Sequence, residues 1–356
     1  MSSQISTRYL EPSEYEAWDR FIDTSRLGSI YSQSFFLRAL CQAVGTNFRI
    51  LGAFKGNELV GGMGVHYNAG KHGDMLHIRP MLYYNGLVIS DFESKYPSVT
   101  SSRQTEVVNA ILNELESGKY AAAEVSSTHA FDDYRPFLSR GWRMWPRYTY
   151  VVPISDPARQ WEHAEQNIRR LISRCERDGM QLELSDDVDA FYTLNKNTYL
   201  RKGVQPYLSH DAFSQLYQSL RECGACQIYF AVTPDGQRAA GQVVLFSKHP
   251  TTHTWMAGSD PSFLQTGASA FLRWKAFEDL SKRGYQFNDM TDAMNDKVAK
   301  FKSQFGGSLE PSFVVYKEIS SRLRLENRIK SVLKRPLDIL GRRFKRTSVT
   351  ADDLNE

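Results

Sequence analysis

The sequence predicts a mixed α/β protein, with α+β mixed sheets, in which one structural unit is used twice. Three observations carry this. The chain has 356 residues, more than one average domain. Its hydrophobic and charged fractions, 41% and 24%, are those of globular chains, and 12% aromatics can fill sizeable cores. Two well-separated stretches also read alike, FRILGAFKGNELVGGMGVHY (Phe48 to Tyr67) and CQIYFAVTPDGQRAAGQVVLF (Cys226 to Phe246).

Each of these stretches reads as strand, turn, strand. An alanine (Ala53, Ala231) precedes a turn at Gly56 or at Asp235-Gly236, and a small-residue pair (Gly61-Gly62, Ala240-Gly241) opens an apolar strand. A third strand is expected over His77–Ser90 in the first unit and Thr252–Ser259 in the second. An amphipathic helix follows each. In the first, Val108, Ile111, Leu112 and Leu115 share a face. In the second, Phe271, Trp274 and Phe277 do so, with Gly284 as the stop. A further strand closes each unit, at AAAEVSS and YQFNDMT. Between the units, residues 159–180 read as one helix. Trp161, Ala164, Ile168, Leu171, Ile172 and Cys175 form its apolar face, and Arg170, Arg174 and Arg177 a basic one. The expected division is 1–156, 157–317 and a tail over 318–356.

Bulk features exclude several classes. No run of about eighteen apolar residues predicts a membrane-spanning helix, and the N-terminus lacks the basic and apolar regions of a secretory signal. Cysteines 41, 175, 223 and 226 are too few and too scattered for a disulfide framework, which suits a reducing cytoplasm. The Cys223–Cys226 pair has no second pair to complete a zinc site, and the eight histidines show no ligand spacing, so no metal is expected. There is no GxSxG, HExxH or P-loop. The net charge of +4 hides an asymmetry, since Lys317 to Arg346 holds eleven basic residues against three acidic. Apolar residues recur there at roughly helical spacing. A basic amphipathic segment suits a peripheral position on an anionic membrane surface, with nucleic acid, including tRNA, or packing on the protein body as rival readings.

The tandem order of hairpin, strand, helix and strand looks like a double GNAT (Gcn5-related N-acetyltransferase) fold. Three segments sharpen this over roughly residues 7–317: RRLISRCERDGM at the end of the interdomain helix, NTYLRKGV (Asn197 to Val204), and YQFNDMTDAMNDKVAKFKSQFGG with its Phe-Lys-x-x-Phe-Gly ending. Together they resemble FemAB-like acyltransferases. The resemblance implies transfer of an acyl or aminoacyl group to an amine on an envelope sugar or peptide precursor, small or lipid-linked. Acyl-CoA or aminoacyl-tRNA would be the co-substrate, with no tightly bound cofactor. The sequence departs from the aminoacyl-transfer branch in two ways. That branch reads Gly-Pro-Val-x-Asp where this chain has Ser90 followed by Asp91, and the long helical-hairpin insertion of some members is missing. A non-catalytic pair of GNAT-like units that binds a glycan or peptide precursor is the alternative.

Candidate site residues follow. Lys302, pinned by Phe301 and Phe305 and followed by Gly306-Gly307, is a compact cation able to stabilise an oxyanion or grip a phosphate; the other reading is a solvated lysine on an amphipathic turn. Asp289 and Asp292 bracket the end of a strand, where a carboxylate serves as base, orients an amine or caps the next turn. The resemblance implies that Arg201 meets an acceptor phosphate or carboxylate, the other reading being a surface arginine before a turn; Tyr207, a few residues on, reads either as lining the same groove or as a partly buried packing tyrosine. Arg170, Ser90 and Asp91 complete the expected substrate set. Gln265, Gly267 and Ser269 open the second unit's helix, where free N–H groups suit a coenzyme pyrophosphate, although the spacing is one residue short of the coenzyme A pattern.

Overall fold

The computed structural model describes residues 4–78 and 81–330. Within them, thirteen strands form a single sheet: β1 Ile5–Tyr9, β2 Asn47–Lys55, β3 Glu58–Asn68, β4 Asp74–Leu76, β5 Leu87–Ile89, β6 Tyr120–Ser126, β7 Arg143–Pro153, β8 Gln181–Ser185, β9 Cys226–Val232, β10 Arg238–Leu245, β11 Thr251–Ser259, β12 Phe287–Asp289 and β13 Ser308–Glu318. Their order is β1-β2-β3-β4-β6-β13-β7-β12-β11-β10-β9-β8, with β5 on β3. The two hairpins turn at Gly56 (φ 62°) and Gly236 (φ 83°), left-handed conformations that glycine adopts without a Cβ penalty. The long helices Pro97–Leu115 and Ala268–Lys282 bury the apolar faces read from their spacing, including Ile111, Leu112 and Leu115 in the first and Phe271, Trp274 and Phe277 in the second.

The units are joined through their last strands. β13, which ends the second unit, pairs antiparallel with β6 of the first from Val314 to Glu318 and with β7 from Ser308 to Tyr316. β7 in turn pairs with β12 through Val151–Pro153. One hydrophobic core also takes side chains from both units, with Tyr31, Phe36, Leu37 and Tyr84 packed among Phe191, Phe213, Leu216 and Trp255. Residues from the two halves therefore meet at the centre of the sheet.

Two expected elements are corrected. Among the described residues, His77–Ser90 does not form the expected single strand. β4 ends at Leu76, and the strand Leu87–Ile89 pairs with Gly61–Met63. Between them Met81, Leu82 and Tyr84 are buried in the shared core, and Trp255 Nε1 donates to the Met81 carbonyl at 3.1 Å. Burial against the second unit replaces strand pairing here. The interdomain helix is likewise two helices, Pro157–His163 and Gln166–Arg177, separated by an extended Ala164. The break lets the chain dock on the Phe301–Gly307 segment. Gln160 Nε2 donates to the Phe305 carbonyl at 2.8 Å, and the Glu165 N–H to the Gln304 carbonyl at 2.9 Å.

The helix Val188–Arg201 lies close on β11 at Gly258. A Cβ there would sit 2.4 Å from the Asn195 nitrogen and 2.6 Å from the Leu194 carbonyl oxygen. Both are backbone atoms that cannot rotate away. Gly258→Ala is expected to destabilise the fold by ~1–3 kcal/mol through overpacking, seen as a lowered denaturant midpoint with unchanged slope.

Candidate active site

β11 and β12 run parallel but pair only through Thr251–His253 and Phe287–Asp289. Beyond that, β11 continues to Ser259 while β12 ends at Asp289, so among the described residues the edge of β11 past His253 has no strand partner on that side; this open edge is the mouth of the candidate site. The turn at the mouth is held from every side. Thr291 has φ 53°, a conformation that a β-branched residue rarely adopts and that costs on the order of 1–3 kcal/mol. Its N–H donates to Asp289 Oδ1 at 2.7 Å, and its hydroxyl reaches the Thr254 carbonyl at 2.8 Å. The Met290 N–H donates to the Tyr150 carbonyl at 2.9 Å and the Ala293 N–H to the Tyr148 carbonyl at 2.7 Å.

Lys302 closes this network from below. It lies near the end of the helix Asp296–Ser303, which Asn295 caps by accepting from the Lys297 and Val298 N–H groups. Phe305 is fully buried and meets Phe277 and Phe301 edge-on, so the lysine is aimed rather than free. Its side chain, 8% exposed, donates to the carbonyls of Met290, Thr291 and Asp292 at 2.7, 2.8 and 2.6 Å. Those three bonds use every ammonium hydrogen. Burial, reinforced by the positive charge of Arg273, lowers its pKa to about 7.

Asp289 ends β12. It is 1% exposed and accepts from Thr149 Oγ1 at 2.5 Å and from Tyr84 of the first unit at 2.8 Å. His253 Nδ1 lies 3.5 Å from its Oδ2. Burial pushes the carboxyl up, but His253 and the two hydroxyls outweigh it and hold the group well below the usual carboxylate range. His253 and Asp289 also line a cleft of about 320 Å³ between the units, together with Arg26, His249, Phe287 and Glu310.

The remaining expected residues spread around this centre. Asp292 is exposed at the tip of the turn, its carboxylate accepting from the Met294 N–H at 3.2 Å. Its charge reaches Tyr199, whose pKa burial raises to about 12. Tyr207, 55% exposed, meets Tyr199 edge-on at 5.4 Å. Arg201 Nη1 donates to the Ser259 carbonyl at 2.9 Å, at the far end of β11. Lys302, Asp292, Tyr199, Tyr207 and Arg201 thus lie at or beside the mouth. Asp91 is elsewhere, exposed and paired with Arg26 at 3.8 Å on the cleft side, and the Ser90 N–H is taken by the Val60 carbonyl. Arg170 is exposed and, among the described residues, bonds locally to Asn167 at 3.3 Å. Its neighbour Arg174 instead grips the carbonyls of Gln265 and Thr266. Gln265 and Ser269 are exposed, and Gly267 (φ 95°) packs so closely on Leu171 that a Cβ would lie 2.9 Å from it.

Sequence reasoning missed Arg273, Thr291, Thr149, Tyr84 and His253. Arg273 carried a signal, as the one charge among Phe271, Leu272 and Trp274 on an apolar helix. Tyr84 and Thr149 depend on contacts between units, and Thr291 and His253 on contacts between separate strands and turns of the second unit, which no local pattern displays.

Residues 162–302 match the model of an acetyltransferase (GNAT) domain. No curated protein sequence matches the chain. Among solved structures the chain is similar to FemX, at 14% identity and a TM-score of 0.69, covering 86% of this chain and 96% of that one. It is also similar to L-PGS from Bacillus licheniformis (12% identity, TM-score 0.53, 88% and 94% covered) and to a tandem GNAT protein of the clavulanic acid biosynthesis pathway (9%, 0.53, 89% and 99%). The chain accordingly has the fold of two GNAT-like units, similar to that of FemX, and its residues 162–302 resemble a GNAT acetyltransferase domain.

Proposed function

We propose that the chain transfers an acyl group from acyl-CoA to an amino group on a cell-envelope sugar or peptide precursor, small or lipid-linked. The observation that carries this is the turn at Thr291. A strained residue fixed by Asp289, Thr254 and Lys302 presents one exposed carboxylate, Asp292, at the mouth. In the proposed step the acceptor amine attacks the thioester carbonyl. The C–N bond forms, the C–S bond breaks, the amine's proton passes to Asp292 and the thiolate departs to be protonated from solvent. Arg201 and Tyr207 flank the acceptor side, Gln265, Gly267 and Ser269 the coenzyme side, and Lys302 sets the turn. FemX and L-PGS, whose folds are similar, support an envelope or lipid-linked acceptor.

The basic tail bears on the location of such an acceptor, but residues 331–356 lie outside the described residues. A helix over 321–330 is described, and Glu326 ties it to the first unit through His72 at 2.5 Å. No helix among the described residues is long and apolar enough to cross a membrane.

The test offers acetyl-CoA and aminoacyl-tRNA in parallel to amino-sugar and precursor-peptide acceptors, with products read by mass spectrometry. Transfer from the thioester is expected, and Asp292→Asn should cut kcat at least ~100-fold, the scale of a lost general base, with stability nearly unchanged. Acceptor binding without transfer from either donor would instead favour the non-catalytic pair.

A further inference from the structure

Arg273 lies within the helix Ala268–Lys282, 6% exposed, one turn before Phe277 on the same face. Phe277 packs on Phe305, and the positive charge of Arg273 reaches Lys302. Among the described residues, its Nε and Nη1 find no hydrogen-bond partner. The acids of its own helix are committed elsewhere. Glu278 accepts from Trp274 and Lys275, each at 2.9 Å, and Asp279 from Tyr229 at 2.7 Å. Lys302 is satisfied by carbonyls and offers no negative charge. A buried guanidinium without an anion is costly, because desolvation is not repaid by a partner. The charge of Arg273 also acts against a charge on Lys302.

We infer that Arg273 is the binding residue for an oxyanion of the acyl donor, a carboxylate on the acyl chain or a phosphate on its carrier, seated beside Lys302. A guanidinium suits either group, since it stays charged and donates along fixed directions. The inference rests on the acyltransfer reading for the identity of the donor. The presence of the anion site does not depend on turnover.

The experiment therefore reads binding first. Wild type and Arg273→Met are melted with and without inorganic phosphate, succinate, coenzyme A and succinyl-CoA. Anions that bind the native state raise its melting temperature. The ligand-free variant should melt at or above wild type, because an unpaired buried charge is gone, and its affinity for the effective anion should fall at least tenfold. A purely structural arginine predicts the reverse, a lower ligand-free melting temperature with an unchanged anion response, and that result overturns the proposal. Comparing acetyl-CoA, acetyl-pantetheine and succinyl-CoA separates the sources. A loss for acetyl-CoA but not acetyl-pantetheine assigns the phosphate, and a loss confined to succinyl-CoA assigns the acyl carboxylate. Equal behaviour of both proteins toward every probe also overturns it. If the binding results hold and no donor supports transfer, the anion site stands and the proposed reaction fails.

Discussion

Lys302→Met is expected to abolish transfer while leaving a folded protein of reduced stability. The substitution keeps much of the side-chain volume and removes three donors at once. The carbonyls of Met290, Thr291 and Asp292 lose their partner at 2.7, 2.8 and 2.6 Å. A buried acceptor left unpaired costs about 1–3 kcal/mol. Part of this is offset because the variant no longer buries a charge, so a net loss of ~2–4 kcal/mol is expected, short of the 5–15 kcal/mol that holds a typical domain together. The turn pays most of it, since Thr291 at φ 53° stays strained only while its surroundings over-determine it. Amide exchange at residues 290–293 should accelerate, and kcat should fall more than ~1000-fold if the turn positions the reacting groups. Near-normal turnover in a folded variant would remove Lys302 from the mechanism.

The same lysine has a pH signature. Its pKa falls from 10.5 to about 7 on folding, through burial and then the charge of Arg273. Between those values the unfolded chain holds a proton that the folded chain has released, so the contribution of Lys302 to stability rises with pH across this window. The stability difference between wild type and Lys302→Met should therefore grow in favour of wild type from pH 7 toward pH 10. A difference independent of pH would show that the group titrates alike in both states.

The sequence made the hairpins and long helices readable because their information is local. Gly56 and Gly236 mark turns, and residues 108–115 and 271–277 keep a helical apolar period. The two misread elements are those in which a partner distant in sequence wins. Met81, Leu82 and Tyr84 leave the sheet for a core that belongs to both units, and Ala164 interrupts a helix so that Gln160 can reach Phe305. The site was legible to a similar depth. The Phe-Lys-x-x-Phe-Gly segment singled out Lys302, but its spacing does not say that the ammonium faces three carbonyls of the same chain. The pattern also does not say that Asp289, at the end of β12, is buried while Asp292, three residues on, is exposed. Arg170 and Arg174 share one basic helix face, yet only Arg174 meets the loop before the second unit's helix.

Asp289→Asn is the second substitution with a large expected effect, and its pH dependence makes the cause visible. The carboxylate joins three parts of the fold: Tyr84 from the first unit, Thr149 from the central strand β7, and the Thr291 N–H of the turn. His253 stands 3.5 Å away, itself buried. Asparagine retains one acceptor for Thr291 but turns a donor toward a region already filled with donors, and it removes the negative charge that faces His253. Turning an amide toward the buried Tyr84 and Thr149 hydroxyls leaves donors unsatisfied at about 1–3 kcal/mol each, so a loss of ~3–5 kcal/mol is expected at pH 7. Because folding holds the carboxyl below its ordinary value of 3.8, its contribution is complete above that value and is lost as pH falls below it. The stability gap between wild type and variant should thus be wide at pH 7 and shrink steadily below about pH 4. His253→Gln should show a reduced gap of the same sign, and the double variant less than the sum of the two, because the pair shares one interaction. A gap that stays constant from pH 7 to pH 3 would mean that Asp289 acts by shape alone. It would also remove the electrostatic link between the inter-unit cleft and the turn that presents Asp292.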